Sequence, residues 1–243
     1  MRIGLIAEGF INNDLDHNFG LMSSWLTRCA GLKYDLLCFG ESFAQGFDAL
    51  TWQPERDVEI ALLQNNSHIQ KLSETAHACQ TGIGFGYIER EEKYFFSSYM
   101  VISNQGKQLI NFRRVSPGWK ERVSDPDICL EGNAFGSFHL EGKNIGIAIC
   151  GDLWHDELLE KFCEQETDLL LWPLYINYSP EDWFGGEREE YAKRVAALNR
   201  PILMINSLSD APEKAYGGAY VFENGIVKQE LALGQSGILT VTI

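Results

Sequence analysis

Apolar residues arrive along this chain in short unbroken blocks and in longer stretches at helical spacing, and the two alternate. Ile3 to Ala7 is a block and predicts a first strand. Asn12, Asn13 and Asp14 then supply capping side chains, and Phe19, Met22, Leu26 and Cys29 recur at helical spacing until Gly31. Asp35 to Ser42 predicts a second buried strand that ends on Gly40 and the carboxylate of Glu41. From about Glu55 to Gln80 the spacing is helical again, with Ile69, Leu72, Ala76 and Cys79 on one face, before Gly82 to Gly86 opens another strand. Tyr94 to Ser103 and Leu109 to Phe112 flank a polar turn and predict a hairpin whose second strand ends in Arg113 and Arg114. Phe135 to Leu140 and Ile145 to Ile149 predict a second hairpin around Glu141 to Asn144, and that hairpin delivers Cys150.

Beyond Cys150 a helical pattern resumes at Leu158, Leu159, Phe162 and Cys163, with Asp156 and Glu157 suited to its first turn. Leu169 to Pro173 is a buried strand. Glu187 to Asn199 carries Tyr191, Val195 and Leu198 at helical spacing until Pro201, and Ile202 to Asn206 continues as strand. Gly218 to Phe222, a turn at Glu223, Asn224 and Gly225, Ile226 to Glu230 and Ile238 to Ile243 complete the chain as strands. The order predicts an α/β (α+β) sandwich with mixed sheets and helices outside. No repeat or linker interrupts it, so residues 1–243 read as a single domain, an ordinary size for one core.

Charge narrows the partners. With 34 Asp and Glu against 20 Lys and Arg, the surface disfavours nucleic acid and anionic membranes. No apolar stretch approaches a membrane span, and the first residues carry no cleavage-like site. The cysteines at 29, 38, 79, 129, 150 and 163 lack the paired spacing of a zinc site and the density of a disulfide scaffold, and the five histidines show no ligand spacing. A cytoplasmic protein without metal or cofactor is expected.

Three reactive groups, Glu41, the Arg113–Arg114 pair and Cys150, each fall just past the end of a predicted strand. A carboxylate beside a thiol can take its proton, a cation can stabilise thiolate and developing oxyanion, and the thiolate attacks a carbonyl-type carbon. The Gly151 N–H, next in sequence, can face the reacting oxygen. Cys150 is expected to be unusually reactive, its thiolate favoured by the nearby cation. The plain alternatives are a packing cysteine at the end of a core strand and a glutamate that caps a following helix.

These residues carry a resemblance. Phe39-Gly40-Glu41, Asn111-Phe112-Arg113-Arg114 and Gly146-Ile147-Ala148-Ile149-Cys150-Gly151-Asp152 resemble, in order and spacing, the glutamate, lysine and cysteine motifs of the nitrilase superfamily of carbon–nitrogen hydrolases. Gly86 to Glu89, Asn206 and Gly217 to Ala219 resemble its secondary motifs. The resemblance implies a four-layer αββα sandwich, two mixed sheets flanked by helices, that pairs as a homodimer or higher homo-oligomer. It implies Glu41 as general base and acid, Cys150 as the nucleophile that forms a thioester, and Asp152 as a brace of the turn. Glu121 matches, by spacing, a second glutamate that orients the site.

The chain departs from the pattern where Arg114 replaces the catalytic lysine, and where Leu198 and Ala219 replace a glutamate and a serine. Lys120 is the nearby lysine able to substitute from the loop. Trp119, Trp154, Tyr175, Trp183 and Phe184 are candidates to line a pocket. The Cys-Gly-Asp run favours a small non-peptide amide or carbamoyl substrate over a nitrile, a glutamine-like amide among them. The competing reading is a member of the same fold that binds a ligand or partner without turnover.

Overall fold

The computed structural model describes residues 1–209 and 214–243. The first half of the chain supplies β1 (Arg2–Ala7), β2 (Leu36–Cys38), β3 (Gly82–Glu91), β4 (Tyr94–Ile102) and β5 (Gln108–Arg113). The second half supplies β6 (Ser137–Leu140), β7 (Lys143–Ile147), β8 (Leu169–Leu174), β9 (Ile202–Asn206), a two-residue ribbon β10 (Leu208–Ser209) and β11 (Ala215–Tyr216), then β12 (Ala219–Glu223), β13 (Ile226–Leu231) and β14 (Gly237–Thr242). Two six-stranded sheets result, ordered β14-β1-β2-β3-β4-β5 and β13-β12-β9-β8-β7-β6. In each, three central strands run parallel and the outer ones antiparallel. The C-terminal ends of parallel strands, where side chains of successive loops converge, are therefore those of β1, β2 and β3 in one sheet and of β7, β8 and β9 in the other.

Period-two alternation sorts the side chains between layers. Along β1 and β2, Ile3, Leu5, Leu36 and Cys38 face the second sheet, while Ile6 and Leu37 join the core beneath the helices. α1 (Leu15–Cys29) and α2 (Ser67–Cys79) cover that outer face with Met22, Leu26, Ile69 and Leu72. α3 (Asp156–Glu164) and α4 (Arg188–Val195) cover the second sheet, burying Phe162, Tyr191 and Val195 against β8 and β9. The four-layer αββα sandwich implied by the motifs is the observed architecture. A buried leucine such as Leu26, 0 % exposed, contributes about 2–5 kcal/mol relative to alanine.

Three elements differ from the periodicity. The helix expected over Glu55 to Gln80 is interrupted: Pro54–Asp57 forms one short helix, and Leu62 then adds to the sheet by accepting from Arg90 N–H (2.8 Å) and donating to Ile88 O (2.9 Å). The second helix starts only at Ser67, where Asn66 caps the His68 N–H at 2.8 Å. Tertiary pairing and a local cap thus override a continuous apolar period. The strand expected to reach Ser42 stops at Cys38, because the chain turns sharply and Ser42 adopts φ 51°. The helix expected over Glu187 to Asn199 is regular only across Arg188–Val195, following a wide turn at Trp183–Glu187 in which Gly186 has φ 151°.

Candidate active site

Glu41 sits in the turn that follows β2. That turn is held against β3 by Gly86 N–H to Gly40 O (3.1 Å) and Ala44 N–H to Gly86 O (3.0 Å). A Cβ at Gly86 would collide with the Ser42 N and Glu41 Cα, so glycine there lets the two segments touch. Gln45, fully buried, locks the same turn by donating to Ile88 O (2.8 Å) and accepting from Ile88 N–H (3.0 Å). The carboxylate thus enters the interior with only 1 % exposure. Its Oε1 accepts from Arg114 Nη1 at 3.0 Å and from Ser97 Oγ at 3.4 Å, while Oε2 is buried with no nitrogen or oxygen donor among the described residues.

Arg114 leaves at the same edge as Glu41, because it follows β5, which runs in the same direction as β2 in the same sheet. Its backbone donates to Ser97 O (2.9 Å), which fixes where the side chain starts, and its Nε donates to Ser116 Oγ (2.8 Å). Nη2 has no acceptor among the described residues and lies over Gly151. Burial works against the guanidinium charge, but Glu41, Cys150 and Asp152 outweigh it and hold the ionised form above its ordinary range. Arg113, one residue earlier on an extended chain, points the other way to Glu89.

Cys150 closes the constellation. The run out of β7 ends at this residue, which adopts φ 40°. A side chain in that left-handed region costs roughly 1–3 kcal/mol, and its neighbours hold it there. Asp152, fully buried, accepts from Ile149 N–H (2.8 Å), Ser116 N–H (2.7 Å) and Val115 N–H (3.1 Å), while Trp172 Nε1 donates to Cys150 O (2.9 Å). Asp152 thus ties the turn after β7 to the Arg114–Ser116 segment. Burial pushes its carboxyl up to about 6, against the pull of Arg114 and these N–H donors.

The half-buried thiol is pushed up to about 12, first by burial and then by the Glu41 charge, with Arg114 and the Tyr175 N–H opposing. The neighbouring cation does favour the thiolate, as expected, but its pull is outweighed. Desolvation and one carboxylate outweigh one guanidinium, so the thiol is neutral near pH 7.

Other candidates lie elsewhere. Glu121 is exposed, on the rim of a cavity of about 410 Å³ walled by Phe47, Trp52 and Trp119, and is not among the groups that touch Glu41, Arg114 or Cys150. The Lys120 Nζ is engaged by Cys129 O (2.5 Å) and Glu131 (2.9 Å), so it does not take the lysine's place. Trp119 is buried beside Trp52, ring centroids 6.1 Å apart. Trp154 is 41 % exposed and packs on Tyr191, while Trp183 is core and Phe184 exposed. Tyr175 alone of the aromatic candidates reaches the thiol, through its backbone N–H, while its ring stacks on Phe47 at 4.1 Å. Ser97, Ser116, Gln45 and Trp172 were not singled out by sequence. Ser116 carried a weak signal as a small polar residue two positions after Arg114.

Among the described residues no group of three or more His, Cys, Asp or Glu is placed to hold a metal ion, and no helix is long and apolar enough to cross a membrane.

Residues 4–207 match the sequence model of the carbon–nitrogen hydrolase family. The omega-amidase NIT2 of Xenopus tropicalis is 24% identical over 155 residues, covering 60% of this chain and 54% of that protein. The N-carbamoylputrescine amidase of Arabidopsis thaliana is 24% identical over 137 residues, covering 54% and 44%. The chain spans about half the length of the curated relatives it matches. Among solved structures, an amidase of Nesterenkonia sp. AN1 superposes with TM-score 0.79 at 16% identity, covering 99% of this chain and 89% of that one. The glutamine-dependent NAD+ synthetase of Acinetobacter baumannii superposes with TM-score 0.78 at 18% identity, covering 98% and 44%.

Proposed function

We propose, from the premise that this chain belongs to the carbon–nitrogen hydrolase family, that it hydrolyses a small non-peptide amide through a thioester on Cys150. The observation that carries this reading is the buried Glu41 carboxylate, hydrogen-bonded to a neutral Cys150 thiol and paired with a guanidinium, with no nitrogen or oxygen donor on its Oε2. A buried carboxylate oxygen without such a donor is costly. It becomes useful when a proton is delivered to it.

In the proposed reaction Glu41 takes the Sγ proton as the sulfur attacks the substrate carbonyl carbon. A thiol that ionises only near 12 makes a base acting during the attack necessary. Negative charge on the carbonyl oxygen meets Arg114 Nη2 and the Gly151 N–H, and one such donor contributes about 100–1000-fold in rate. Collapse of the tetrahedral adduct breaks the C–N bond, the Glu41 proton goes to the leaving nitrogen, and ammonia or an amine departs. Water, losing its proton to Glu41, then opens the thioester to the free acid, and the proton returns to sulfur.

Both sheets contribute to the site, Glu41 from one and Cys150 from the other, which supports one catalytic domain. The amidase and carbamoyl-amidase activities named for the relatives support amide chemistry. A mutant of the Nesterenkonia amidase carries acrylamide added to its active-site cysteine, so acrylamide is a rational probe here.

A panel of small amides, carbamoyl compounds and nitriles, assayed for ammonia release, tests the reading. At least one amide is expected to be turned over, with an acyl-enzyme mass on Cys150 and no turnover by Cys150→Ala. Ammonia release by that variant at the native rate would overturn the thiol mechanism. Sedimentation at micromolar concentration tests the homodimer that accompanies this reading.

A further inference from the structure

We infer that Gly151 is a positioning residue matched to Arg114: the missing side chain at 151 is the space that admits a guanidinium where the family motif has a lysine. This inference rests on the proposed reaction for its kinetic readout, and on geometry alone for its chemical one. A Cβ built on Gly151 would fall inside van der Waals contact with Arg114 Nη2, 3.3 Å from Cζ and 3.1 Å from Ser116 Oγ. Gly151 has no positive φ, so its backbone does not demand glycine. The demand comes from the guanidinium.

A flexible side-chain tip ordinarily gives way to a methyl group, but this one is pinned. Nε is held by Ser116 Oγ at 2.8 Å and Nη1 by Glu41 Oε1 at 3.0 Å, in a side chain with 6 % exposure. Because the guanidinium is planar, Nη2 cannot retreat without rotating Nη1 off Glu41 or Nε off Ser116. Ser116 is fixed in turn by its backbone N–H on Asp152 at 2.7 Å. Lysine ends in a single ammonium with no second arm over residue 151, so it leaves room for a side chain there. Arginine and glycine are therefore one change in two places, and the arginine fork puts an uncommitted donor directly over the peptide that follows the nucleophile.

The prediction is a reversal of sign. Gly151→Ala in the native background is expected to lower kcat about 100-fold, the loss of one oxyanion donor, with KM changed less than about threefold. Arg114→Lys/Gly151→Ala is expected to recover at least about tenfold of that loss. A merely structural glycine would not be rescued by a change at 114.

The second readout needs no substrate. Iodoacetamide alkylation of Cys150 at pH 8, followed by intact mass, is expected to slow about tenfold in Gly151→Ala, because the displaced cation no longer favours the thiolate, and to recover in the double variant. If Gly151→Ala does not fold, a folded double variant supports the match and an unfolded one overturns it. Native kcat and native alkylation in Gly151→Ala would overturn the inference. So would a double variant as slow as the single. If the native protein turns over no amide, the proposed reaction fails while the alkylation series still decides the match.

Discussion

Two glutamates in this molecule are equally buried, at 1 % exposure each, and each is met by one of two consecutive arginines. Glu89 is saturated. Its Oε2 accepts from Ser98 Oγ (2.6 Å), Asn111 Nδ2 (2.8 Å) and Arg113 Nε (3.0 Å), and its Oε1 from Arg113 Nη2 (2.6 Å) and Gln64 Nε2 (2.7 Å). Glu41 meets Arg114 through a single nitrogen and keeps Oε2 without a nitrogen or oxygen donor. Burial pushes the Glu89 carboxyl up, yet Arg113 and the neutral donors together hold it below the usual carboxylate range. The same residue pair, one step apart on one strand, thus makes a clamp in one place and leaves unused bonding capacity in the other. Unused capacity beside a thiol is what chemistry needs.

The sharpest way to break this comparison is to neutralise each carboxylate in turn. Glu41→Gln is expected to lower kcat about a thousandfold and to lower the unfolding midpoint by less than Glu89→Gln does, read by ammonia release and calorimetry. Cutting the cations comes next. Arg114→Ala is expected to lower kcat about 100-fold and Arg113→Ala less than about fivefold, and equal losses would erase the distinction between the pairs.

Stability reverses the ranking. Glu89→Gln disrupts an acceptor of five hydrogen bonds and leaves Arg113 without its anion, and is expected to cost about 3 kcal/mol, a fall in Tm of roughly 6–12 °C; Glu41→Gln, which disturbs a single Arg114 contact and one long serine contact, is expected to cost less. Because the Glu89 carboxyl is held low in the folded protein, its contribution is present above the unfolded value, about 4.3, and is lost as pH falls through the folded one. Urea unfolding between pH 6 and pH 3 should therefore show a shallower acid limb in Glu89→Gln, and an unchanged limb would count against the clamp.

The thiol gives a further pH test. With Cys150 pushed up to about 12, its alkylation is expected to rise about tenfold per pH unit from pH 7 to pH 10. A plateau reached near neutrality would mean a resting thiolate. The smallest effects belong to residues away from the cluster: Glu121→Ala and Trp154→Ala, both exposed, are expected to change kcat less than about twofold.

Much of the site was legible in the order of residues. Glu41 and Cys150 stand beyond buried blocks, and a block of apolar residues that stops on a polar group marks a sheet edge whatever the rest of the chain does. Arg113 and Arg114 were separable because alternate side chains of an extended strand face opposite ways. Glu121 and Lys120 misled because residues 115–131 carry no period that says which way a side chain points. Their neighbours, Glu131 for Lys120 and Trp119 for the nearby rim, are set by how that loop folds back. Glu89 showed nothing that distinguished a saturated carboxylate from a spare one.

The sequence by itself determined which polar groups follow the buried blocks and the alternation that sends strand side chains to one face or the other, since both follow from covalent order and the period of the backbone. Tertiary structure alone decided the protonation of Cys150, the bidentate pairing of Glu89, the open oxygen of Glu41 and the space above Gly151. Each of these depends on distances between segments brought together only by packing. Charge in a low-dielectric interior is governed by those distances rather than by residue identity.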